Sequence, residues 1–169
     1  INLHASLLPK YRGAAPVNHA ILNGESQTGL TTFFIQKKVD TGDILLQKSL
    51  SIDKIITAGE ILEKLSYIGA DLIIKTLKKL SNNTITPIKQ LDESVTFAPK
   101  ITVKDCQINW NDSVENIHNQ IRAFTPKPGA FTFYGNKRVK LFGSRIAKNN
   151  SSDHLLPGYI KYKNLLLEI

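Results

Sequence analysis

Ile1-Asn2-Leu3-His4-Ala5-Ser6-Leu7-Leu8-Pro9 is the stretch on which the fold turns. Apolar Ile1 and Leu3 alternate with polar Asn2 and His4, which is the two-residue period of a strand. That period sends Asn2 and His4 to one face, about 7 Å apart along the strand. The Ser-Leu-Leu-Pro run after them has no period and reads as a turn. A carboxamide offers donors that do not titrate, and an imidazole can donate, accept or carry charge near neutral pH. Leaving a strand together, the two suit an active site. The plain alternative is a turn asparagine beside a satisfied core histidine.

Outward from this stretch the chain alternates strands and helices. Residues 10–13 continue the loop, and 14–23 read as a short helix with Pro16 in its first turn, where a missing N–H costs nothing. Residues 28–36 (TGLTTFFIQ) are rich in β-branched and aromatic residues and predict a strand. The polar run 37–43 is a loop, and 44–52 is the next strand, with Leu46, Lys48, Leu50 and Ile52 on one face. Thr57 and Glu60 have capping-box spacing, and Ile61, Leu65, Ile68 and Leu72 then recur at helical intervals. This helix is expected to cover one face of a sheet, with Gly69 allowing close approach. Residues 84–90 predict a short strand, at an edge because Pro87 cannot donate a ladder bond.

The polar run 92–105 predicts a linker between a first unit over 1–91 and a second over 106–169. In the second, 107–110 reads as a strand. Asp112 and Glu115 resemble a cap pair ahead of a helix with an Ile117, Ile121, Phe124 stripe. Residues 130–134 and 138–142 read as a β-hairpin joined through 135–137. Residues 148–153 predict a flexible loop, and 158–169 two short strands. The expected class is α/β.

With 169 residues the chain is sized for one domain, or one and part of another. It opens without Met, inside a strand, which predicts a missing upstream half. A single cysteine, Cys106, excludes an internal disulfide and points to a reducing, cytoplasmic setting. The apolar runs are too short to span a membrane, and the start has no signal-peptide pattern. The excess of 22 Lys+Arg over 14 Asp+Glu gives a net charge of +8, which suits a polyanionic partner such as nucleic acid. A lysine-rich solvated surface would give the same excess.

The loop Val39-Asp40-Thr41-Gly42-Asp43 follows a strand, as 6–9 does. Loops at one rim of an open α/β sheet meet where ligands bind, so Asp40 can approach His4. An Asp beside a His favours the imidazolium and fixes its orientation. With the Asn2 amide this makes a proton-handling pair plus a neutral oxyanion donor, a set suited to acyl transfer onto an amine. The plainer alternative is that Asp40 caps a turn. Ser6 has no nucleophile-elbow context, and Cys106 reads as structural. His19, His118 and His154 have no metal-ligand spacing, so no metal is expected. Lys137, Arg138 and Lys140 sit among Phe131, Phe133 and Phe142. That pattern fits either a nucleic-acid surface or the solvated face of a small barrel.

Residues 2–16 (NLHASLLPKYRGAAP) with 39–44 (VDTGDI) resemble the folate-dependent formyltransferases. The resemblance implies catalytic roles for Asn2, His4 and Asp40. It implies a folate site at Ser6, Leu7, Leu8, Pro9, Val39, Thr41 and Gly42, with 10-formyltetrahydrofolate as co-substrate. The fold it implies is the C-terminal part of a doubly wound sheet followed by an OB-like β-barrel that ends early. Arg12 to Pro16, 108–110 (INW), 121–124 (IRAF) and 128–132 (PGAFT) resemble the branch whose acceptor is methionine on initiator tRNA. Contacts to that tRNA are expected from Lys10, Arg12, Lys137, Arg138 and Lys140, in a monomer with no membrane partner. Formyltransferases acting on sugar nucleotides can carry a similar tail, and a fragment of this kind could also be a non-catalytic tRNA-binding module.

Overall fold

The computed structural model describes residues 1–146, 157–158, 161–163 and 166–168. The expected loop at 148–153 and His154 lie outside these. Strand β1 (Asn2–His4) leads through a long loop to helix α1 (Pro16–Leu22), with Pro at its first turn. Strands β2 (Gln27–Phe33) and β3 (Ile44–Ser51) follow, then helix α2 (Ala58–Ser81). The Thr57–Glu60 capping box starts α2 as expected: the Thr57 hydroxyl accepts from the Glu60 N–H, and Glu60 accepts from the Thr57 N–H.

The first sheet has the order β1-β2-β3 and is antiparallel throughout, with Asn2 opposite Phe33 and His4 opposite Thr31. Doubly wound sheets are mostly parallel and can carry antiparallel strands at an edge; every ladder among the described strands is antiparallel. The loop 34–43 therefore leaves beside the start of β1, not beside its end, and must fold back to reach His4.

Helix α2 covers one face. A Cβ on Gly69 would stand 2.8 Å from Leu3 Cδ2 and 3.4 Å from Leu30 Cδ1, so the missing side chain lets helix and sheet close on each other. On the same face the Thr32 and Thr76 hydroxyls bond at 2.9 Å. Leu3 thus points to α2, and strand alternation turns Asn2 and His4 to the opposite face.

Where 84–90 were expected to form a strand, only one antiparallel bridge exists, Ile44 to Ile88. Pro87 and a lack of further partners leave the rest irregular. Residues 107–110 likewise reduce to one bridge, Gln107 to Phe131. Helix α3 (Val114–Phe124) is capped by Ser113, whose hydroxyl accepts from the Asn116 N–H, and not by Asp112. Strands β4 (Ala130–Tyr134) and β5 (Lys137–Leu141) form the expected hairpin, with Gly135 at φ +57° in its turn. Strands β6 (Lys161–Lys163) and β7 (Leu166–Glu168) pair antiparallel. No closed barrel exists among the described residues. One buried apolar cluster runs from Val17 and Ile21 through Ile61 and Leu65 to Ile121, Phe124 and Phe131, joining α1 and α2 to α3 and β4.

Candidate active site

Strand β1 delivers an exposed Asn2 and a buried His4 to the face away from α2. Phe33 meets the His4 ring edge to face, with centroids 6.5 Å apart. The His4 Nε2 lies 2.9 Å from the Tyr11 carbonyl oxygen. A carbonyl only accepts, so Nε2 is the donor in this bond, and the other nitrogen, Nδ1, is left open. Nδ1 faces Asp40 Oδ2 at 3.7 Å. That is too long for a hydrogen bond. The ring is therefore oriented by the Tyr11 carbonyl, whereas the sequence suggested that Asp40 would orient it. Asp40 instead presents a carboxylate to the open nitrogen, and the same Oδ2 accepts from the Gly13 N–H at 2.9 Å.

Both partners of His4 sit in left-handed backbone: Tyr11 at φ +60° and Asp40 at φ +54°. Such a φ costs a non-glycine residue roughly 1–2 kcal/mol, and surrounding contacts hold it. The Tyr11 N–H donates to Thr96 Oγ1 at 2.8 Å. Its phenol donates to Glu25 at 2.8 Å and accepts from Asn23 at 3.1 Å. Burial, more than these partners, pushes that phenol above its usual range.

The turn after β1 is anchored by two residues that the sequence reading did not single out. The buried Thr31 hydroxyl donates to the Ser6 carbonyl at 2.7 Å and accepts from the Leu8 N–H at 3.1 Å and from Gln47 Nε2 at 2.9 Å. Gln47 also donates to the Leu8 carbonyl at 2.8 Å. Thr31 and Gln47 are paired across β2 and β3 on the His4 face, so strand periodicity carried the signal.

Of the seven residues expected at a folate site, Ser6, Leu8 and Gly42 are buried and shape the loops from within. The Ser6 hydroxyl donates to the Lys10 carbonyl at 2.7 Å. A Cβ on Gly42 would collide with the Phe34 carbonyl. Leu7, Pro9 and Thr41 are half-buried, and Val39 is 70% exposed. With exposed Phe34 and Ile35 it gives the Asp40 loop an apolar outer surface.

The five basic residues expected to meet tRNA separate. Arg12 is only 5% exposed, and its guanidinium donates to Gln90 Oε1 through Nε at 3.1 Å and Nη2 at 2.8 Å. It faces the interior, because the loop folds it under residues 90–98. Lys10 pairs with Glu25 at 3.4 Å on the surface. Arg138 stacks on the Phe131 ring at 3.7 Å, Lys140 Nζ donates to the Pro128 carbonyl at 2.7 Å, and Lys137 is exposed. Cys106 is buried, its thiol pushed up by that burial and donating to the Thr102 carbonyl at 3.3 Å. No group of three or more metal-ligating side chains exists among the described residues, and no described helix is long and apolar enough to cross a membrane.

Residues 1–77 match the model of the formyl transferase family, and residues 100–167 match that of the formyl transferase C-terminal domain. The methionyl-tRNA formyltransferase of Thermodesulfovibrio yellowstonii is 47% identical over 167 residues, which are 99% of this chain and 53% of that protein. That of Staphylococcus epidermidis is 44% identical over 160 residues, 95% of this chain and 51% of that protein. The chain thus spans about half the length of the curated relatives it matches. Among solved structures, the N-formyltransferase of Helicobacter canadensis, in complex with folinic acid and dTDP-3-aminofucose, superposes with a TM-score of 0.77. It is 26% identical, and the match covers 96% of this chain and 59% of that one. By its matched regions, its relatives and its fold, the chain belongs to the formyl transferase family.

Proposed function

We propose that this chain carries the catalytic side chains of a methionyl-tRNA formyltransferase, which moves a formyl group from 10-formyltetrahydrofolate to the α-amine of methionine on initiator tRNA. One observation carries the reading. Residues distant in sequence converge on a single face, with Asp40 3.7 Å from a His4 whose other nitrogen is already fixed. The acceptor follows from relatives at 44–47% identity that bear this name.

The folate donor supplies an N-formyl group. Its ring system would meet the apolar surface of Phe34, Ile35 and Val39, and the buried Ser6, Leu8 and Gly42 would set the loop shape beneath it. The methionine nitrogen attacks the formyl carbon, and the carbonyl electron pair moves onto oxygen. Asn2 donates a hydrogen bond to that oxygen. His4 Nδ1 takes the proton that the nitrogen loses, with the Asp40 carboxylate facing the imidazolium so formed. Collapse of the intermediate breaks the bond to the folate nitrogen, which takes up the proton held by the His4 imidazolium as it leaves, so that His4 returns to its neutral form. Residues 1–91 would form the catalytic unit and 92–105 a linker. Residues 106–169 would be an OB-like tRNA-binding unit with Lys137, Arg138 and Lys140 on its surface. The protein is read as a cytoplasmic monomer acting in translation initiation.

The test is formyl transfer to methionyl-tRNA by the full-length gene product. Asn2→Ala and Asp40→Ala should each lower turnover by about 100-fold or more, the scale of losing an oxyanion donor. Near-normal turnover in both would end the assignment. A sugar-nucleotide amine is the second acceptor to test, because the Helicobacter canadensis structure holds one. Acceptor binding that falls steeply with salt favours tRNA, where several phosphates are neutralised, and a shallow slope favours the nucleotide sugar.

A further inference from the structure

Residues 90–98 fall between the two regions that the family models match, and by sequence most of them read as a connection. In space they brace the candidate site from two sides. Gln90 Nε2 donates to the carbonyls of Asp40 at 2.9 Å and Gly42 at 2.8 Å. On the other side, the Arg12 N–H donates to the Thr96 carbonyl at 2.9 Å, and the Ala98 N–H donates to the Arg12 carbonyl at 2.8 Å. The Ala98 carbonyl accepts from the Ala15 N–H at 3.1 Å. The approach is so close that a Cβ on Gly13 would stand 2.6 Å from the Ala98 oxygen.

The Gln90 amide can face only one way. Arg12 has donors alone, and two of them meet Gln90 Oε1. The Asp40 and Gly42 carbonyls only accept. A flipped amide would set its NH2 against the guanidinium and its oxygen against two carbonyls, losing all four bonds. The contacts also close a ring. The Arg12 side chain holds Gln90, Gln90 holds the Asp40 backbone, and the Asp40 carboxylate accepts from Gly13, the next residue after Arg12. Asp40 is thereby fixed at both its backbone and its carboxylate, in a backbone conformation it would not choose alone (φ +54°).

We propose that Gln90 is a positioning residue of the formyl-transfer site, holding the Asp40–Gly42 loop so that the Asp40 carboxylate faces His4, with Arg12 fixing the direction of the Gln90 amide. The kinetic part of this rests on the formyltransferase reading; the geometric part does not. Gln90→Glu is the informative variant. It keeps the size and an acceptor for Arg12, and replaces the two N–H donors with an oxygen that repels both carbonyls.

In the full-length gene product, Gln90→Glu should lower kcat about 100-fold, the cost of misplacing a reacting group by about 1 Å. KM for methionyl-tRNA should stay within about twofold, because the acceptor's other contacts are untouched. The Gly13 amide, which donates to Asp40, should exchange with solvent about tenfold faster, while the α2 amides of Ile61, Leu65 and Leu72 keep their protection. Unchanged kcat in an active enzyme, or an unchanged Gly13 exchange rate, overturns the proposal. So does faster exchange throughout α2, which would reveal general destabilisation. If the unmodified protein transfers no formyl group, the functional reading fails by itself, and Gly13 exchange still decides whether Gln90 sets the loop.

Discussion

Thr31→Val removes one hydroxyl and leaves the shape of a fully buried side chain unchanged. That hydroxyl is saturated: it donates once, to the Ser6 carbonyl, and accepts twice, from the Leu8 N–H and Gln47 Nε2. Gln47 is exposed at the sheet edge and can turn to water. Ser6 and Leu8 are 1% and 3% exposed, so their freed carbonyl and N–H have no such escape. Two stranded backbone groups at about 1–3 kcal/mol each, less a small gain from the extra methyl, give a net loss of about 3 kcal/mol. Equilibrium urea unfolding of the full-length gene product measures it. With a slope of about 1–3 kcal/mol per molar, the midpoint should fall by roughly 1–3 M at unchanged slope. Thr31→Ser keeps the hydroxyl and should recover most of the loss. A Thr31→Val midpoint within about 0.3 M of the parent would refute the anchoring argument. The anchored turn is also the proposed floor of the folate site, so KM for the folate donor should rise in Thr31→Val and recover in Thr31→Ser.

Thr57→Ala breaks the capping box of α2 and should cost about 1 kcal/mol, read by thermal or urea unfolding, with formyl transfer unaffected. The carboxyl groups of Asp53, Glu60 and Asp105 are each held below their ordinary values. The Ile55 and Ile56 N–H groups do this for Asp53, the Thr57 hydroxyl and N–H for Glu60, and the Thr102 N–H and hydroxyl for Asp105. Groups depressed in this way add stability that is complete above their unfolded values of 3.8 and 4.5 and is lost as pH falls through the folded ones. Unfolding free energy should therefore drop as pH is lowered below about 4.5, and an Asp53→Asn, Glu60→Gln, Asp105→Asn triple variant should flatten that drop. Gly42→Ala should impair formyl transfer, because its Cβ would collide with the Phe34 carbonyl and displace the Asp40 loop. Turnover equal to the parent would contradict the packing of that loop.

Sequence alone determined the elements whose signals are local. The Thr57–Glu60 spacing and the Ile61, Leu65, Leu72 repeat specify α2 because a helix answers to neighbours within one or two turns. Pro16 marks the start of α1, and a glycine turn marks the β4–β5 hairpin, for the same reason. Alternation in 1–4 likewise set Asn2 and His4 on one face. Tertiary structure decided everything that depends on which backbone groups find partners far along the chain. It set β1, β2 and β3 antiparallel, reduced 84–90 to a single bridge, and turned Arg12 inward onto Gln90. It also gave the Tyr11 carbonyl the task of aiming His4. Side-chain periodicity reports which face a residue takes. It carries no information about which distant N–H or C=O will satisfy it, and in this site those distant pairings set the distances on which the chemistry depends.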